Sequence, residues 1–173
     1  MLKVDTVVNG YLEENCYLIH DDKNTLIIDP GSESEKIISK INELKLNVKG
    51  ILITHSHFDH IGALKEIKNK YNVEVIDNDN RKENVCFKYK IIENYGHTMD
   101  SISFYFYEDK IMFTGDFVFR GSIGNYEEEN ERTMYESLEE FKKLDKDIVI
   151  YPGHGEYSTV DLELKYNPFL RGF

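Results

Sequence analysis

The segment His55-Ser56-His57-Phe58-Asp59-His60 concentrates three imidazoles and one carboxylate within six residues. It follows an apolar run, residues 48–54, that is typical of a buried β-strand. The sequence therefore places these side chains in an extended loop at the end of a strand. Imidazole nitrogens and carboxylate oxygens are ligands that zinc and related divalent metals take in proteins. The segment indicates a metal site.

Three further candidate ligands also follow predicted strands and stand beside glycines. They are His97 in Gly96-His97-Thr98, Asp116 in Thr114-Gly115-Asp116 and His154 in Pro152-Gly153-His154. Because one tetrahedral zinc ion needs only four ligands, a larger set suits a pair of ions that share one carboxylate. On chemistry alone, either Asp59 or Asp116 is able to bridge the pair. The complete candidate set is His55, His57, Asp59, His60, His97, Asp116 and His154.

Other residues allow a structural interpretation beside a functional one. His20 lies inside a predicted strand and is expected to be structural. Asp29 either hydrogen-bonds a ligand imidazole, which would fix its tautomer, or caps the turn into the first helix. The stretch Gly121-Ser122-Ile123-Gly124 is either a loop that contacts substrate or a simple turn. No substrate-binding residue is identified.

Short β-type runs alternate with amphipathic segments, which predicts an α/β protein. Ser32 and Glu35 have capping-box spacing at the start of the first helix. With 173 residues, the chain is predicted to form a single domain over residues 1–173. The predicted strands are 3–8, 16–21, 25–28, 48–54, 73–76, 86–92, 101–107, 111–114 and 148–151, and the predicted helices are 33–46, 62–71 and 134–144.

Charge and cysteine content restrict the partners and the location. The formal net charge of −11 opposes binding to phosphate backbones, so nucleic acid is not expected as a partner. Cys16 and Cys86 are expected to be free, buried thiols, as in a reducing compartment. The sequence shows no signal pattern and no apolar run of membrane-spanning length. A cytoplasmic protein without membrane association is predicted.

The seven candidate ligands resemble the motif of the metallo-β-lactamase fold hydrolases. Further matches resemble the glyoxalase II-like, or hydroxyacylglutathione hydrolase-like, branch; these are Asn15-Cys16-Tyr17-Leu18, Ile28-Asp29-Pro30-Gly31, Phe113-Thr114-Gly115-Asp116 and Asn167-Pro168-Phe169-Leu170. The resemblance implies an αββα sandwich, in which two mixed β-sheets are flanked by helices. It also implies that one ion is bound by His55, His57 and His97, the other by Asp59, His60 and His154, and that Asp116 bridges them.

The resemblance implies a dinuclear metal-dependent hydrolase of small thioesters of the acylglutathione type. Two divalent ions would activate water for attack on the carbonyl, with Asp59 as the catalytic residue that orients the nucleophile or carries its proton. Zinc is favoured, and iron and manganese are compatible. The alternatives are a mononuclear iron enzyme that oxidises persulfides and a metallohydrolase of another ester, lactone or phosphodiester. The substrate and the oligomeric state stay open.

Several departures from the branch bear on the substrate. Met99-Asp100 and Asn125-Tyr126-Glu127 replace residues that are usual in the branch, and only 20 residues separate Ile76 from His97. A helical C-terminal domain that helps bind glutathione in two-domain members has no counterpart in the sequence. Asp116 stands where true β-lactamases of this fold usually carry cysteine, so antibiotic hydrolysis is not expected.

Overall fold

Two five-stranded β-sheets pack face to face in the computed structural model, which describes residues 1–171. Residues 172 and 173, at the end of the predicted domain, lie outside the described residues. The first sheet consists of β1 (Lys3–Asn9), β2 (Glu14–His20), β3 (Asn24–Ile28), β4 (Asn47–Leu52) and β5 (Val75–Ile76), in that spatial order. β1 to β3 are antiparallel, whereas β3, β4 and β5 are parallel, so the sheet is mixed.

The second sheet is also mixed. In chain order its strands are β6 (Lys90–Glu93), β7 (Ile102–Phe106), β8 (Ile111–Gly115), β11 (Val149–Pro152) and β12 (Ser158–Thr159). Their spatial order is β12-β11-β8-β7-β6, with β8 and β11 parallel and the other pairs antiparallel. A small hairpin of β9 (Val118–Phe119) and β10 (Ser122–Ile123) follows β8.

Helices cover the outer face of each sheet. The helices are α1 (Ser34–Glu43), α2 (Phe58–Ile61), α3 (Leu64–Tyr71), α4 (Glu131–Phe141) and α5 (Val160–Tyr166). Ile41 of α1 and Ile67 of α3 belong to an apolar cluster with residues of the first sheet. Leu138 of α4 and Val160 of α5 pack in the same way against the second sheet.

A third apolar cluster fills the space between the sheets, with Tyr17 and Leu52 from one and Phe104 and Phe113 from the other. Successive side chains of a strand point to opposite faces of the sheet. This explains why Leu18 packs against helices while Tyr17 points into the space between the two sheets. The arrangement confirms the predicted αββα sandwich.

Strand direction determines where the loops meet. β6 and β8 run in the same direction because both are antiparallel to β7, and β11 is parallel to β8. In the other sheet, β3 and β4 are parallel. Carboxyl ends of parallel strands lie at one edge of a sheet, which is where ligand sites form in α/β proteins. The loops after β4, β6, β8 and β11 carry the candidate ligands.

Some local predictions were wrong. The first helix begins at Ser34, after Glu33 with a left-handed φ of 48° and no side-chain cap, so Ser32 is not its N-cap. The strand predicted over residues 86–92 begins only at Lys90, because Cys86 has a φ of 51°, outside the β region. Cys16 is free and buried as expected, but Cys86 is free and exposed.

Two elements differ because short local signals were not recognised. Phe58–Ile61 forms a helical turn, so only the first half of the segment from His55 to His60 is extended. α5 was not predicted, although Thr159 caps it by accepting a hydrogen bond from Leu162 N at 3.2 Å. No helix within residues 1–171 is long and apolar enough to cross a membrane.

Candidate metal centre

All seven predicted ligands meet at one edge of the sandwich. His55 and His57 lie between β4 and α2, and Asp59 and His60 belong to α2 itself. Asp116 directly follows β8, while His97 and His154 lie in the loops after β6 and β11. Their ligand atoms form two groups, each with atoms within 4.8 Å of one another.

The first group, which we call the imidazole cluster, consists of His55, His57 and His97. The Nδ1 atom of His57 lies 3.1 Å from His55 Nε2 and 3.0 Å from His97 Nε2. Two nitrogens about 2.0–2.1 Å from a tetrahedral zinc ion would be about 3.3 Å apart. The spacing of the three nitrogens is therefore suited to one shared ion.

The second group, the mixed cluster, consists of Asp59, His60 and His154. Asp59 Oδ2 lies 3.2 Å from His154 Nε2 and 3.7 Å from His60 Nε2. His60 is completely buried, whereas Asp59 and His154 are partly exposed. This group offers one carboxylate and two imidazoles to a second ion.

Asp116 lies between the two clusters. Its Oδ1 is 3.2 Å from His60 Nε2, on the side of the mixed cluster. Its Oδ2 is 3.5 Å from His154 Nε2, 3.6 Å from His97 Nε2 and 4.0 Å from His55 Nε2. One carboxylate thus has oxygens near imidazoles of both groups.

Backbone carbonyls orient two of the imidazoles. His97 Nδ1 donates to the Asn125 carbonyl at 2.5 Å, and His154 Nδ1 donates to the Leu12 carbonyl at 3.1 Å. A proton held on Nδ1 leaves the lone pair of Nε2 directed into the centre. Metal-binding histidines are commonly oriented in this way.

Asp29 and Thr54 orient two more imidazoles from beneath the centre. His60 Nδ1 donates to Asp29 Oδ2 at 2.9 Å, and Thr54 Oγ1 donates to the same oxygen at 2.6 Å. His55 Nδ1 lies 3.1 Å from Thr54 Oγ1 and donates to it. Asp29 lies close enough to His55 and His60 to be a ligand itself, but its oxygens already accept these bonds and one from Thr54 N at 2.7 Å. Of the two interpretations of Asp29, the structure supports the hydrogen bond to a candidate ligand.

Burial and opposite charges shift the pKa values strongly in this centre. Burial, reinforced by the nearby His60, lowers the pKa of His55 to about 2, so this imidazole is neutral. Burial also opposes charge on His60, but the nearby carboxylate of Asp116 and the hydrogen bond to Asp29 outweigh it and raise its pKa to about 11. For Asp116 the nearby imidazoles of His154 and His60 overcome burial and hold its pKa far below the usual range. The carboxylates are thus balanced by positive charge, which a divalent cation would also supply.

Buried atoms without partners lie at the middle of the centre. His60 Nε2 and Asp116 Oδ1 are both buried and have no hydrogen-bond partner of suitable geometry. Buried polar atoms are normally satisfied, so this pair indicates that another group belongs between them. The donor set of imidazoles and carboxylates fits a divalent metal.

Two glycines allow the ligand loops to approach closely. A Cβ on Gly153 would lie 2.2 Å from Asp116 Oδ1, and one on Gly124 would lie 1.8 Å from the Asp116 carbonyl oxygen and 3.0 Å from His97 Nδ1. Gly124, at the end of the stretch from Gly121 to Gly124 that includes β10, therefore packs against the candidate ligands. Its role towards a substrate stays a prediction.

Glu14 was missed by the sequence analysis. Its side chain is buried beside the mixed cluster, with Oε1 3.9 Å from His60 Nδ1. Burial raises the pKa of this carboxyl to about 10, against the opposing effect of His60. The only available signal was its position directly before the motif Asn15-Cys16-Tyr17-Leu18.

A groove of about 490 Å³ runs beside the loop that carries His154. Tyr17, Tyr151 and Tyr157 line it together with Arg120, which forms an ion pair with Glu156. His20 lies outside both clusters, where its Nε2 is 2.9 Å from Asp5 Oδ2 and its Nδ1 donates to the Asp21 carbonyl at 2.6 Å.

Known proteins resemble the chain over nearly its whole length. The Metallo-beta-lactamase superfamily matches residues 9–80 and 72–154. A hydroxyacylglutathione hydrolase, GloC, of Haemophilus influenzae is 34% identical over 98% of this chain and 98% of its own length. A probable metallo-hydrolase, YqgX, of Bacillus subtilis is 30% identical over 95% of both chains.

Solved structures share the arrangement of the sheets. The crystal structure of the B3 metallo-beta-lactamase BLEG-1 has a TM-score of 0.91 and 25% identity, covering 98% of this chain and 100% of that one. The structure of TTHA1623 in a di-iron-bound form has a TM-score of 0.84 and 28% identity, covering 96% and 100%. The family inferred from the ligand motif is thereby confirmed. The chain belongs to the metallo-beta-lactamase superfamily and is a metal-dependent hydrolase.

Proposed function

We propose that the centre binds two divalent ions and that the enzyme hydrolyses small thioesters of the acylglutathione type. In this assignment the imidazole cluster binds the first ion, the mixed cluster binds the second, and Asp116 bridges them. The position of Asp116 between both clusters is the observation that carries the dinuclear proposal. Asp59 has its near oxygen on the side of His60 and His154, so it suits the second ion and not the bridge.

Zinc is the metal that we propose first. Three imidazoles in one cluster and two imidazoles with a carboxylate in the other are common zinc ligand sets. The same ligand types accept iron and manganese. TTHA1623, 28% identical, is described in a di-iron-bound form, which supports keeping iron as the second candidate.

The thioester proposal rests on the relative from Haemophilus influenzae, which is named a hydroxyacylglutathione hydrolase and is 34% identical over nearly full length. The alignment spans 209 positions, more than the 173 residues of this chain, so that relative carries segments with no counterpart here.

Chemistry favours a thioester among possible acyl substrates. A bound divalent ion lowers the pKa of water towards neutrality and polarises a carbonyl oxygen. A thiol has a pKa of about 8.5, so it departs as a thiolate without a strong proton donor. We propose that the Asp59 carboxylate accepts a hydrogen bond from the attacking water, orients it and receives its proton. Exposed Phe58, between His57 and Asp59, offers an apolar surface to the acyl group.

We propose that the protein acts on a small molecule and is located in the cytosol. The net charge of −11 argues against nucleic acid as a substrate. The free thiols of Cys16 and Cys86 suit a reducing compartment.

A panel of substrates tests the proposal against its alternatives. Protein reconstituted with zinc, iron or manganese is assayed with an S-acylglutathione, its oxygen-ester analogue, a lactone, a phosphodiester and, with iron and oxygen, a persulfide. We expect the thioester to have the highest kcat/KM and the oxygen ester to react more slowly. Turnover of the persulfide alone, with one iron per chain, would contradict the proposal and favour the iron oxidoreductase.

A further inference from the structure

We propose that Glu14 is a positioning residue that holds the mixed cluster in the arrangement that binds its ion. The inference rests on the proposed function, because it takes Asp59, His60 and His154 as ligands of the second ion. Glu14 is the first residue of β2, in the sheet that does not contain the strand before His154. Its side chain is only 1% exposed, so the carboxyl cannot serve as a surface charge.

The backbone of Glu14 connects the two sheets at His154. Glu14 and His154 form an isolated antiparallel β-bridge. The next residue continues the connection, because Asn15 N donates to the Gly153 carbonyl at 2.8 Å and Asn15 Nδ2 donates to the Gly155 carbonyl at 2.8 Å. The start of β2 thus fixes the loop that presents one ligand of the mixed cluster.

The side chain of Glu14 reaches the second ligand, His60. Glu14 Oε1 lies 3.9 Å from His60 Nδ1, the same nitrogen that donates to Asp29 at 2.9 Å. Two buried acidic side chains therefore face the side of the imidazole opposite the candidate metal position. Glu14 Oε1 has no hydrogen-bond partner of its own, which is costly for a buried atom unless a nearby positive centre offsets it.

The carboxyl also lies near the backbone of the third ligand, Asp59, because both border Gly31. A Cβ built on Gly31 would be 2.3 Å from Glu14 Oε2 and 1.9 Å from the Asp59 carbonyl oxygen. Both oxygens therefore occupy the space that a side chain at residue 31 would need. Asn9 Nδ2 donates to Glu14 Oε2 at 3.4 Å and so helps to hold the carboxyl in place.

These contacts are confined to one half of the centre. Within residues 1–171, the hydrogen bonds, ion pairs and β-bridge of Glu14 involve Asn9, His60 and His154, and none involves a member of the imidazole cluster. The side chain must keep its length and its ability to accept the hydrogen bond from Asn9, both of which glutamine retains and leucine does not. Loss of Glu14 should therefore affect the second ion selectively.

Stepwise zinc titration of Glu14→Leu and Glu14→Gln, by competition with a chromophoric chelator, tests the inference. We expect the leucine variant to bind the second ion about 10–100-fold more weakly, the range for groups that orient metal ligands, with the first ion unchanged. The glutamine variant should match the parent for both ions. Circular dichroism confirms that each variant is folded before titration.

Glu163→Leu is the matched control. Glu163 is a buried glutamate whose carboxyl binds Gly121 N, Ser158 and Asn167 but none of the seven candidate ligands. The Glu163→Leu substitution should lower the melting temperature but leave the affinities for both zinc ions unchanged in the folded protein. If Glu14→Leu does not fold, Asn9→Ala tests the same claim. This substitution removes the hydrogen bond that holds the Glu14 carboxyl, so it should also weaken binding of the second ion.

The inference is overturned if folded Glu14→Leu, or folded Asn9→Ala where it replaces that variant, binds both ions as tightly as the parent. An equal loss of affinity for both ions also overturns it. So does a glutamine variant that binds the second ion as weakly as the leucine variant. If the parent takes up two ions in any of these cases, the dinuclear proposal stands and only the role of Glu14 fails. A parent that binds one ion contradicts both.

Discussion

The imidazole cluster and the mixed cluster lie on either side of Asp116 but are built on different physical principles. The imidazole cluster consists of three histidines without a carboxylate of its own, and exposed His57 makes it the more open of the two. The mixed cluster has its own carboxylate, Asp59, and buried His60 is backed by Asp29. In the proposed assignment, the first ion would therefore depend on Asp116 for negative charge, whereas the second would also have the carboxylate of Asp59.

Replacement of Asp116 should have the largest effect. Asp116→Ala removes the carboxylate that offsets repulsion between two dications, so both affinities should fall and activity should drop by orders of magnitude. Because the mixed cluster retains Asp59, the ion that remains should bind there. Zinc titration with thioester turnover tests this, with exposed Asp145→Ala as a control for the loss of one charge. Two ions bound as tightly as in the parent would show that Asp116 is not the bridge.

A pair of histidine variants should separate the clusters. His57→Ala should abolish tight binding of the first ion, and His154→Ala should chiefly weaken the second, because each donates to one cluster. Both effects should be smaller than that of Asp116→Ala. Elemental analysis measures the total metal content of each variant. Cobalt substitution shows spectroscopically which of the two clusters has lost its ion. Identical loss patterns in both variants would mean that the two clusters are a single site.

Asp29→Asn should have an intermediate effect. The Asp29 carboxylate accepts a hydrogen bond from His60 directly. It is connected to His55 only through the hydroxyl of Thr54. We expect about a 10–100-fold loss of affinity at the mixed cluster and a smaller loss at the imidazole cluster. The two affinities come from the same zinc titration. A larger loss at the imidazole cluster would contradict this account of the support beneath the centre.

His20→Ala should have the smallest effect on metal binding. His20 is buried between Asp5 and the Asp21 carbonyl, away from both clusters. We expect unchanged metal content and a stability lower by about 1–2 kcal/mol, from the lost hydrogen bonds. Chemical denaturation and elemental analysis measure the two quantities. Loss of metal from folded His20→Ala would show that the ligand set is wrong.

The sequence predicted the parts of the fold that depend on regular patterns. Apolar runs located most strands, and the ligand motif led to the sandwich through family resemblance. The predicted start of a strand at Cys86 was wrong because the left-handed φ of this residue lies outside the β region, which the side-chain pattern does not reveal. The helical turn at Phe58–Ile61 was missed because metal-ligand chemistry, and not helical periodicity, dominated that stretch.

The sequence pointed to the residues that the structure brings together at the candidate site, but of the residues that support them it pointed only to Asp29, as one of two interpretations. Histidines and aspartates after strands are visible in a sequence because their chemistry is distinctive. Glu14 and Thr54 are not, since their roles arise from contacts across the fold, such as Glu14 with His60 over 46 positions of chain. Carbonyl groups such as that of Asn125 carry no side-chain signal at all.

Metal stoichiometry tests the central claim most directly. Purified protein is loaded under metal-replete conditions, freed of excess ion and analysed for metal per chain, and its structure is determined with the ions bound. The account predicts about two ions per chain, bound at the imidazole and mixed clusters with Asp116 touching both. A reproducible value of about one ion per chain, with Asp59 and His60 free of metal, would contradict it.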